Sequence, residues 1–516
     1  MATLIGSSDP NLSISNVFPS QTPKALRPPS AFKSVKFHNC TLFDGYGSKI
    51  RRLGRRDHSS QSFIRRFCHR SVVSGPKLAS LSSSSLNPIV ASSSFDFDVV
   101  IVGAGIIGLT IARQFLLQSD LSVAVVDAAV PCSGASGAGQ GYIWMIHKTP
   151  GSDIWELAMR SKQLWEILAD SIQHQGMSPL EILGWRKTGS LLIGRTPEEL
   201  NILKGRVQQL AEAGLEAEYL SGHALLSEEP ALEVGKEGGA AFLPDDCQLD
   251  AYRTVSFIEE GNRHFASNGR YAEFYHDPAT YLLRSGCNGE IQAIQTSKNT
   301  LYCRKAIVIA AGSWSGSLMQ DLVRGSNVVL DVPVKPRKGH LLVVENSNML
   351  QLNHGLMEVG YVDHQMVSQC YTNNASKFVD HDQTLSISMT ATMDAMGNLV
   401  LGSSRQFAGF NTEVDDVIIN QIWSRAGEFF PSIRELSLAD FTKNRKVRVG
   451  LRPYMPDGKP IIDTVPGLPK VLIATGHEGG GLSMALGTAE LVADMVLGNT
   501  LKVNNAPFSF QGRCCS

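Results

Sequence analysis

The chain has 516 residues, 43% of them hydrophobic and 18% charged, enough for two or three globular domains around a sizeable core. The formal net charge of −1 hides an asymmetry: residues 1–94 hold thirteen basic and three acidic side chains, or +10, which leaves −11 for the rest. An acidic body argues against a nucleic-acid-binding surface, and the longest apolar run, Val99 to Ala112, holds three glycines and falls short of the ~18–20 residues of a membrane span.

The first 94 residues are rich in Ser and Arg, poor in acids and without a secretory apolar core, and they end in serine runs at Ser82 to Ser85 and Ser92 to Ser94. Such a stretch buries too little to fold and reads as an import signal. Its start resembles a plastid transit peptide, and its Arg-dense part, Arg51 to Arg70, also suits a mitochondrial one. The chloroplast is the expected location, the mitochondrion the alternative, and the mature start is expected between Val73 and Phe95. The nine cysteines are odd in number and irregularly spaced, which indicates neither a disulfide framework nor a metal site and suits a reducing compartment.

Asp98 to Val102 is a strand, Gly103-Ala104-Gly105-Ile106-Ile107-Gly108 a glycine turn, and Ile107, Ile111 and Phe115 carry helical spacing beyond it. Gly103 turns the chain, Gly105 lets backbone approach a pyrophosphate, and Gly108 lets the helix pack on the strand. A second strand, Leu121 to Val126, delivers Asp127 about 20 residues on, where an acid meets ribose hydroxyls. Together these predict a dinucleotide site, with NAD and FAD undecided. The small-residue run Pro131 to Tyr142 follows, rich enough in Gly, Ala and Ser to wrap a flat cofactor.

Asp153 to Gln175 predicts an amphipathic helix on Ile154, Leu157, Leu164, Leu168 and Ile172, with Trp155 and Trp165 as core. Gly189 to Ile193 is a strand, and Thr196-Pro197-Glu198-Glu199 opens a capped helix that stops near Gly214. Glu228 and Glu229 read as solvated helix-capping acids. Gln248-Leu249-Asp250 precedes another helix. Strands at Ala272 to Tyr275, Glu290 to Thr296 and Leu301 to Arg304 form a meander, and Lys305 to Ala311 is a buried parallel strand that ends on Gly312. Residues 353–382 show weak periodicity and read as an insertion or loop, one that lies over the active site. Strands resume at Thr384 to Thr392 and Leu399 to Gly402. Val449 to Pro453 and Val471 to Thr475 are strands, and Met484 to Leu497 is the last helix.

Ser133-Gly134-Ala135-Ser136, Ala310-Ala311-Gly312-Ser313-Trp314, Gly450-Leu451-Arg452-Pro453 and Gly476-His477-Glu478-Gly479-Gly480-Gly481-Leu482 resemble, in that order, segments of the D-amino-acid oxidase, glycine oxidase and D-amino-acid dehydrogenase family of flavoproteins. The likeness spans nearly all of residues 95–500. It implies an α/β FAD-binding domain, Rossmann-like and of the glutathione-reductase type, interleaved with an α+β antiparallel-sheet substrate domain. The implied parts are FAD-binding at 95–185, 246–325 and 446–500, substrate-binding at 186–245 and 326–445, and a tail at 501–516. The resemblance also implies non-covalent FAD, held by Gly103, Gly105, Ile106, Ile107, Gly108, Asp127, Ala128, Ser133, Ala135, Ser136, Gly141, Ala311, Gly312, Trp314, Gly476, Gly479, Gly480, Gly481 and Leu482.

The same resemblance gives Arg452 the substrate carboxylate and places His477 near the flavin ring; the loop after His477 lacks the arginine found in some members, and Arg405 is an alternative second cation. The reaction implied is oxidation of the C–N bond of a D-amino acid, glycine or secondary amine, with oxygen or a carrier as acceptor. A 2-hydroxy-acid dehydrogenase or a non-catalytic flavin-binding protein is the alternative. One departure stands out: Ser388 to Thr392 carries no aromatic where glycine oxidases have a substrate-contacting tyrosine, which leaves Tyr142 and Tyr454 as aromatic candidates.

Overall fold

The computed structural model describes residues 93–513 except 236, 286–288, 325–327, 329, 346–349 and 363–384. The import signal therefore lies outside the described residues, apart from its last two. Ser93 and Ser94 already belong to the first strand, because β1 (Ser93–Val102) runs in parallel register with a later strand from Ser93↔Asn299 onward.

Helix α1 (Ile106–Gln118) and strand β2 (Val123–Val126) complete the first crossover. Val99, Val100 and Ile101 are fully buried. A strand with parallel neighbours on both edges and helices on its faces reads as an unbroken apolar run, and this one does. Strand β3 (Tyr142–Ile143) and helix α2 (Trp155–His174) follow. The buried stripe of α2 runs Leu157, Ser161, Trp165, Ala169, Ile172, so Leu164 and Leu168 sit at its margin and Trp165 at its centre, donating its indole N–H to the Leu482 carbonyl at 3.1 Å. Next come β4 (Ser190–Gly194), α3 (Pro197–Glu212) with its Thr196/Glu199 capping box, β5 (Glu218–Ser221), β6 (Gly239–Leu243), β7 (Cys247–Gln248) and α4 (Ala251–Arg263), capped by Asp250.

Strands β8 (Tyr271–Phe274), β9 (Ala279–Arg284), β10 (Ile291–Thr296) and β11 (Asn299–Ile309) precede β12 (Lys335–Val344), β13 (Gly355–Glu358), β14 (Ser386–Met393) and β15 (Leu399–Arg405). Helix α5 (Asp416–Gly427), strands β16 (Arg445–Tyr454), β17 (Ile461–Thr464) and β18 (Val471–Thr475), and helix α6 (Gly481–Leu497) close the chain.

Two sheets result. One has the order β17-β18-β11-β1-β2-β8, parallel except at β17, with β9 and β10 folded back on the start of β11. The other has the order β16-β12-β15-β14-β13-β4-β6-β5 and is antiparallel except where β13 runs parallel to β4. The two-sheet, interleaved architecture implied by the resemblance is present.

Four local expectations differ. Residues 446–500 open on β16, which belongs to the second sheet, because its backbone pairs with β12 from Lys335↔Tyr454 to Val344↔Arg445. Within 353–382, Gly355–Glu358 is a strand rather than a loop: its bonding comes from β4 and β14, remote in sequence, so no local periodicity announces it; residues 363–382 lie outside those described. Glu229 is fully buried beyond the end of the helix Gly222–Glu228, accepting the N–H groups of Asn353 at 2.9 Å and His354 at 3.1 Å, so it is not a solvated helix-start acid. The tail from 501 packs onto the body through Val503, Phe508 and Phe510, and Arg513 pairs with Asp457 at 2.6 Å.

Among the described residues, Glu478–Leu497 is long and apolar enough to cross a membrane by length and composition, a property that the run-length count passed over. Most of it is buried, and α6 packs on α1 and α2 as a core helix. Gly487 permits the contact with α2, since a Cβ there would stand 2.9 Å from the Leu157 carbonyl oxygen.

Candidate functional site

A cavity of about 670 Å³ opens where the ends of the parallel strands meet the second sheet, room for a ligand much larger than one amino acid. Its nucleotide end is the first crossover. Gly103 has φ +120°, a conformation side chains avoid, and a Cβ there would stand 2.3 Å from the Ala310 carbonyl oxygen. Gly105 caps α1 with no side-chain partner, so the helix N-terminus faces the cavity as an anion site. Asp127 ends β2, held by N–H donors from Ala104 and Ala129, both at 2.7 Å, and Ser136 Oγ accepts from Ile106 N–H at 3.0 Å. A pyrophosphate on the helix and a ribose on the acid fit this cradle.

The far end is built around a second uncapped helix start. Gly480 caps α6 without a side-chain bond, and Gly479, Gly481 and Leu482 line the cavity. The loop is pinned from both sides. Thr475 donates its hydroxyl to the Gly312 carbonyl at 2.8 Å, and Glu478 accepts from Arg337 at 2.5 Å. Backbone N–H groups here suit negative charge on the edge of a flat ring system.

Between the two ends, the second sheet supplies Arg452 from β16. Its guanidinium reaches the cavity, and Nη1 donates to the Ser404 carbonyl at 2.9 Å. Gly339 makes its seat: a Cβ there would lie 2.1 Å from Arg452 Nη1. Tyr142 also lines the cavity and stacks on Trp144, centroids 4.0 Å apart. Burial holds the Tyr142 phenol well above its usual range, so it stays protonated and donates to Gln140 Oε1. Gln140 is anchored in turn by Nε2 donation to Thr392 and Val400 and by accepting from Thr390 at 3.0 Å.

His477 lines the cavity while its Nε2 engages Thr488 Oγ1 at 2.9 Å. Burial alone pushes its pKa down to about 3, so the ring is neutral at pH 7. Below pH 6.5 the unfolded chain takes up a proton at this position that the folded chain refuses. Stability then falls with pH by up to about 1.4 kcal/mol per unit until about pH 3. Between pH 6.5 and 4.5, wild type should lose roughly 2–3 kcal/mol more than His477→Gln in urea unfolding. Equal losses would show that the ring titrates freely in the folded protein.

Of the site residues expected from sequence, the cavity brings together Gly103, Gly105, Ile106 and Ile107 from the first turn, Asp127 and Ala128 after β2, and Ser133, Ala135, Ser136 and Gly141 from the small-residue run. Ala311, Gly312, Trp314, Arg452, His477, Gly479, Gly481 and Leu482 join them. Four stand outside its lining. Gly108 faces the strand, where a Cβ would meet the Gly103 carbonyl oxygen at 1.9 Å. Gly476, at φ +83°, turns beside Met455, and Gly480 packs on Met484. Arg405 is enclosed, its Cζ 3.9 Å from the centroid of the Tyr361 ring.

Tyr454 packs edge-on against Phe407 rather than lining the cavity. Tyr361 lines it instead, with its hydroxyl 3.6 Å from where a Cβ of Gly479 would stand. Sequence reasoning missed Tyr361 and Gly339. The only available signals were that residues 353–382 were read as lying over the active site and that a glycine stands inside an otherwise regular strand.

Residues 98–495 match the family described as FAD dependent oxidoreductase (DAO). Glycine oxidase of Geobacillus kaustophilus is 25% identical over 415 residues, covering 80% of this chain and 96% of that protein. D-amino acid dehydrogenase of Vibrio cholerae is 25% identical over 446 residues, covering 77% and 94%. The crystal structure of the Geobacillus kaustophilus glycine oxidase superposes with a TM-score of 0.66 at 22% identity, covering 81% of this chain and 99% of that one.

Proposed function

The chain belongs to the FAD dependent oxidoreductase (DAO) family, and from that premise we propose that it oxidises the C–N bond of a small amino or imino acid: a D-amino acid, glycine or a secondary amine. The observation that carries this reading is the Arg452 guanidinium, which opens on the same cavity as Gly103, Gly105 and Asp127. A planar, permanently charged fork suits a substrate carboxylate bidentately. The glycine oxidase and D-amino acid dehydrogenase relatives support the same substrate class.

When bound, FAD supplies the acceptor for the two electrons that leave the substrate Cα–N unit. The chain's own task is orientation and electrostatics. Arg452 fixes the carboxylate, and with it the direction in which the Cα–H bond points. Tyr142, kept protonated and tied to Gln140, walls the substrate without exchanging its own proton. The open N-terminus of α6 offers N–H groups to negative charge at the ring edge. His477, neutral and bonded to Thr488, holds the loop in place and moves no proton. The imine formed takes up water and breaks at its C=N bond, giving an oxo acid and ammonia or, from a secondary amine, a primary amine.

Anaerobic mixing of the purified yellow holoprotein with a panel of amino and imino acids should bleach the visible flavin absorbance for at least one of them. Bleaching by 2-hydroxyglutarate and by no amino or imino acid would overturn the reading.

A further inference from the structure

Arg405 ends β15 in the interior, 2% exposed, yet Nη1 and Nη2 are both enclosed without a hydrogen-bond partner. Among the described residues no carboxylate forms an ion pair with it: Glu478 is taken by Arg337, and Glu358 by Arg425. A buried guanidinium with no counter-charge is among the costliest groups that a fold can keep. Its Cζ stands 3.9 Å from the centroid of the Tyr361 ring, and Tyr361 and Ser403 line the cavity, so its unpartnered donors lie one layer behind the cavity wall.

Its surroundings repeat the pattern. The His147 ring lies edge-on to Tyr361 at 6.4 Å with Nδ1 unpartnered, and Trp144, stacked on Tyr142, has an unpartnered Nε1. Tyr361 and Tyr142 both line the cavity, so the unpartnered atoms of Arg405, His147 and Trp144 lie against two residues of its wall. Arg452 is close by, since its Nη1 holds the carbonyl of Ser404, the residue before Arg405. The charges felt here are mostly positive: Arg405 and Arg452 act on Tyr142, and Arg405, Lys148 and Arg206 act on His147. Among the described residues, Glu478 is paired with Arg337, Glu358 with Arg425, and Asp246 is occupied by the Met145 and Ile146 N–H groups and the Ser190 hydroxyl.

We propose that the substrate is a dicarboxylic amino or imino acid, with its α-carboxylate on Arg452 and its second carboxylate on Arg405 beside Tyr361. This rests on the amine-oxidising reading for the chemistry but not for the pocket. A dianion would satisfy both guanidinium groups and remove their mutual repulsion, whereas glycine would leave Arg405 buried and unpaired.

The test separates the two. The oxidised holoprotein is titrated with succinate and with butyrate, unreactive carboxylates that differ in the second anionic group, and the shift of the flavin spectrum is followed. Succinate should bind about 10- to 100-fold more tightly, the range of a charge-assisted contact. Arg405→Gln should abolish that preference while butyrate binding and FAD content stay as they were. Arg405→Met, with a similar apolar stem, should do the same, which guards against a folding defect in one variant. Equal binding of the two probes to wild type, no binding of succinate, or a preference that survives both substitutions would each overturn the proposal. In the bleaching panel, D-aspartate, D-glutamate or iminodiacetate should outpace glycine and D-alanine in wild type, and a faster neutral amino acid would count against it. If succinate selectivity holds while no amine bleaches the flavin, the amine reading fails and the dianion pocket stands.

Discussion

Arg452→Leu should lower kcat/KM for the best amino or imino acid by about 10³-fold while the purified protein stays yellow. Removing one partner of a desolvated charge pair costs roughly 3–5 kcal/mol, and each 1.4 kcal/mol is a factor of ten in rate. Arg452 sits on the second sheet, away from the α1 turn and Asp127, so FAD content should be untouched. Gly339→Ala should reproduce a weaker form of the same defect. The new methyl would lie 2.1 Å from Arg452 Nη1 and 2.5 Å from its Cζ, the far end of a flexible side chain that moves aside at modest cost to the fold. What moves aside is the group proposed to anchor the substrate carboxylate. Steady-state kinetics beside a flavin spectrum check both variants, and unchanged kcat/KM in Arg452→Leu would remove the guanidinium from substrate binding.

Gly103→Ala should yield a colourless protein. The position has φ +120°, and the added Cβ would meet the Ala310 carbonyl carbon and oxygen, at 2.7 and 2.3 Å, which are backbone atoms with nowhere to go. Strain of this kind costs on the order of 1–3 kcal/mol for the dihedral alone. The carbonyl collision adds to it by pushing β11 from β1 at the mouth of the crossover. FAD affinity should fall at least about 100-fold, since one 1.4 kcal/mol step is tenfold and the strain falls on the cradle itself. Fluorescence titration of the apoprotein with FAD measures it. A variant that purifies with stoichiometric flavin would show that the turn tolerates a side chain.

These two sites differ in how far sequence reveals them. Gly103, Gly105, Gly108 and Asp127 lie within one crossover, and their spacing carries its own explanation: each glycine answers a local need for a dihedral or a close approach. Arg452 is visible as an arginine before a proline at the end of an apolar strand, but its seat at Gly339 is 113 positions away in the chain and becomes a seat only because β12 and β16 pair with Gly339 opposite Gly450. Arg405 read as a second cation from sequence. Nothing in its neighbourhood along the chain says that it is enclosed, that Tyr361 covers one face, or that among the described residues no acid pairs with it.

His477 shows the same divide from the other side. Its place in a glycine-rich loop suggests a group at the reaction centre, yet burial and the Thr488 hydroxyl leave it a neutral anchor. Glu229 was read as an ordinary helix acid and proves to be a buried acceptor for two backbone N–H groups of a segment more than a hundred residues on.

The amino-acid sequence by itself determined the dinucleotide crossover, because that follows from dihedral demands, apolar periodicity and side-chain chemistry that act over a few residues, while the two-sheet class and the role expected of Arg452 came through the resemblance to a family. Only the tertiary structure decided which strand neighbours which, that Tyr361 rather than Tyr454 walls the cavity, and that a second guanidinium lies near the first with no ion-pair partner among the described residues. Burial and pairing are sums over neighbours brought together from distant parts of the chain, and electrostatics in a site excluded from water depends on all of them at once.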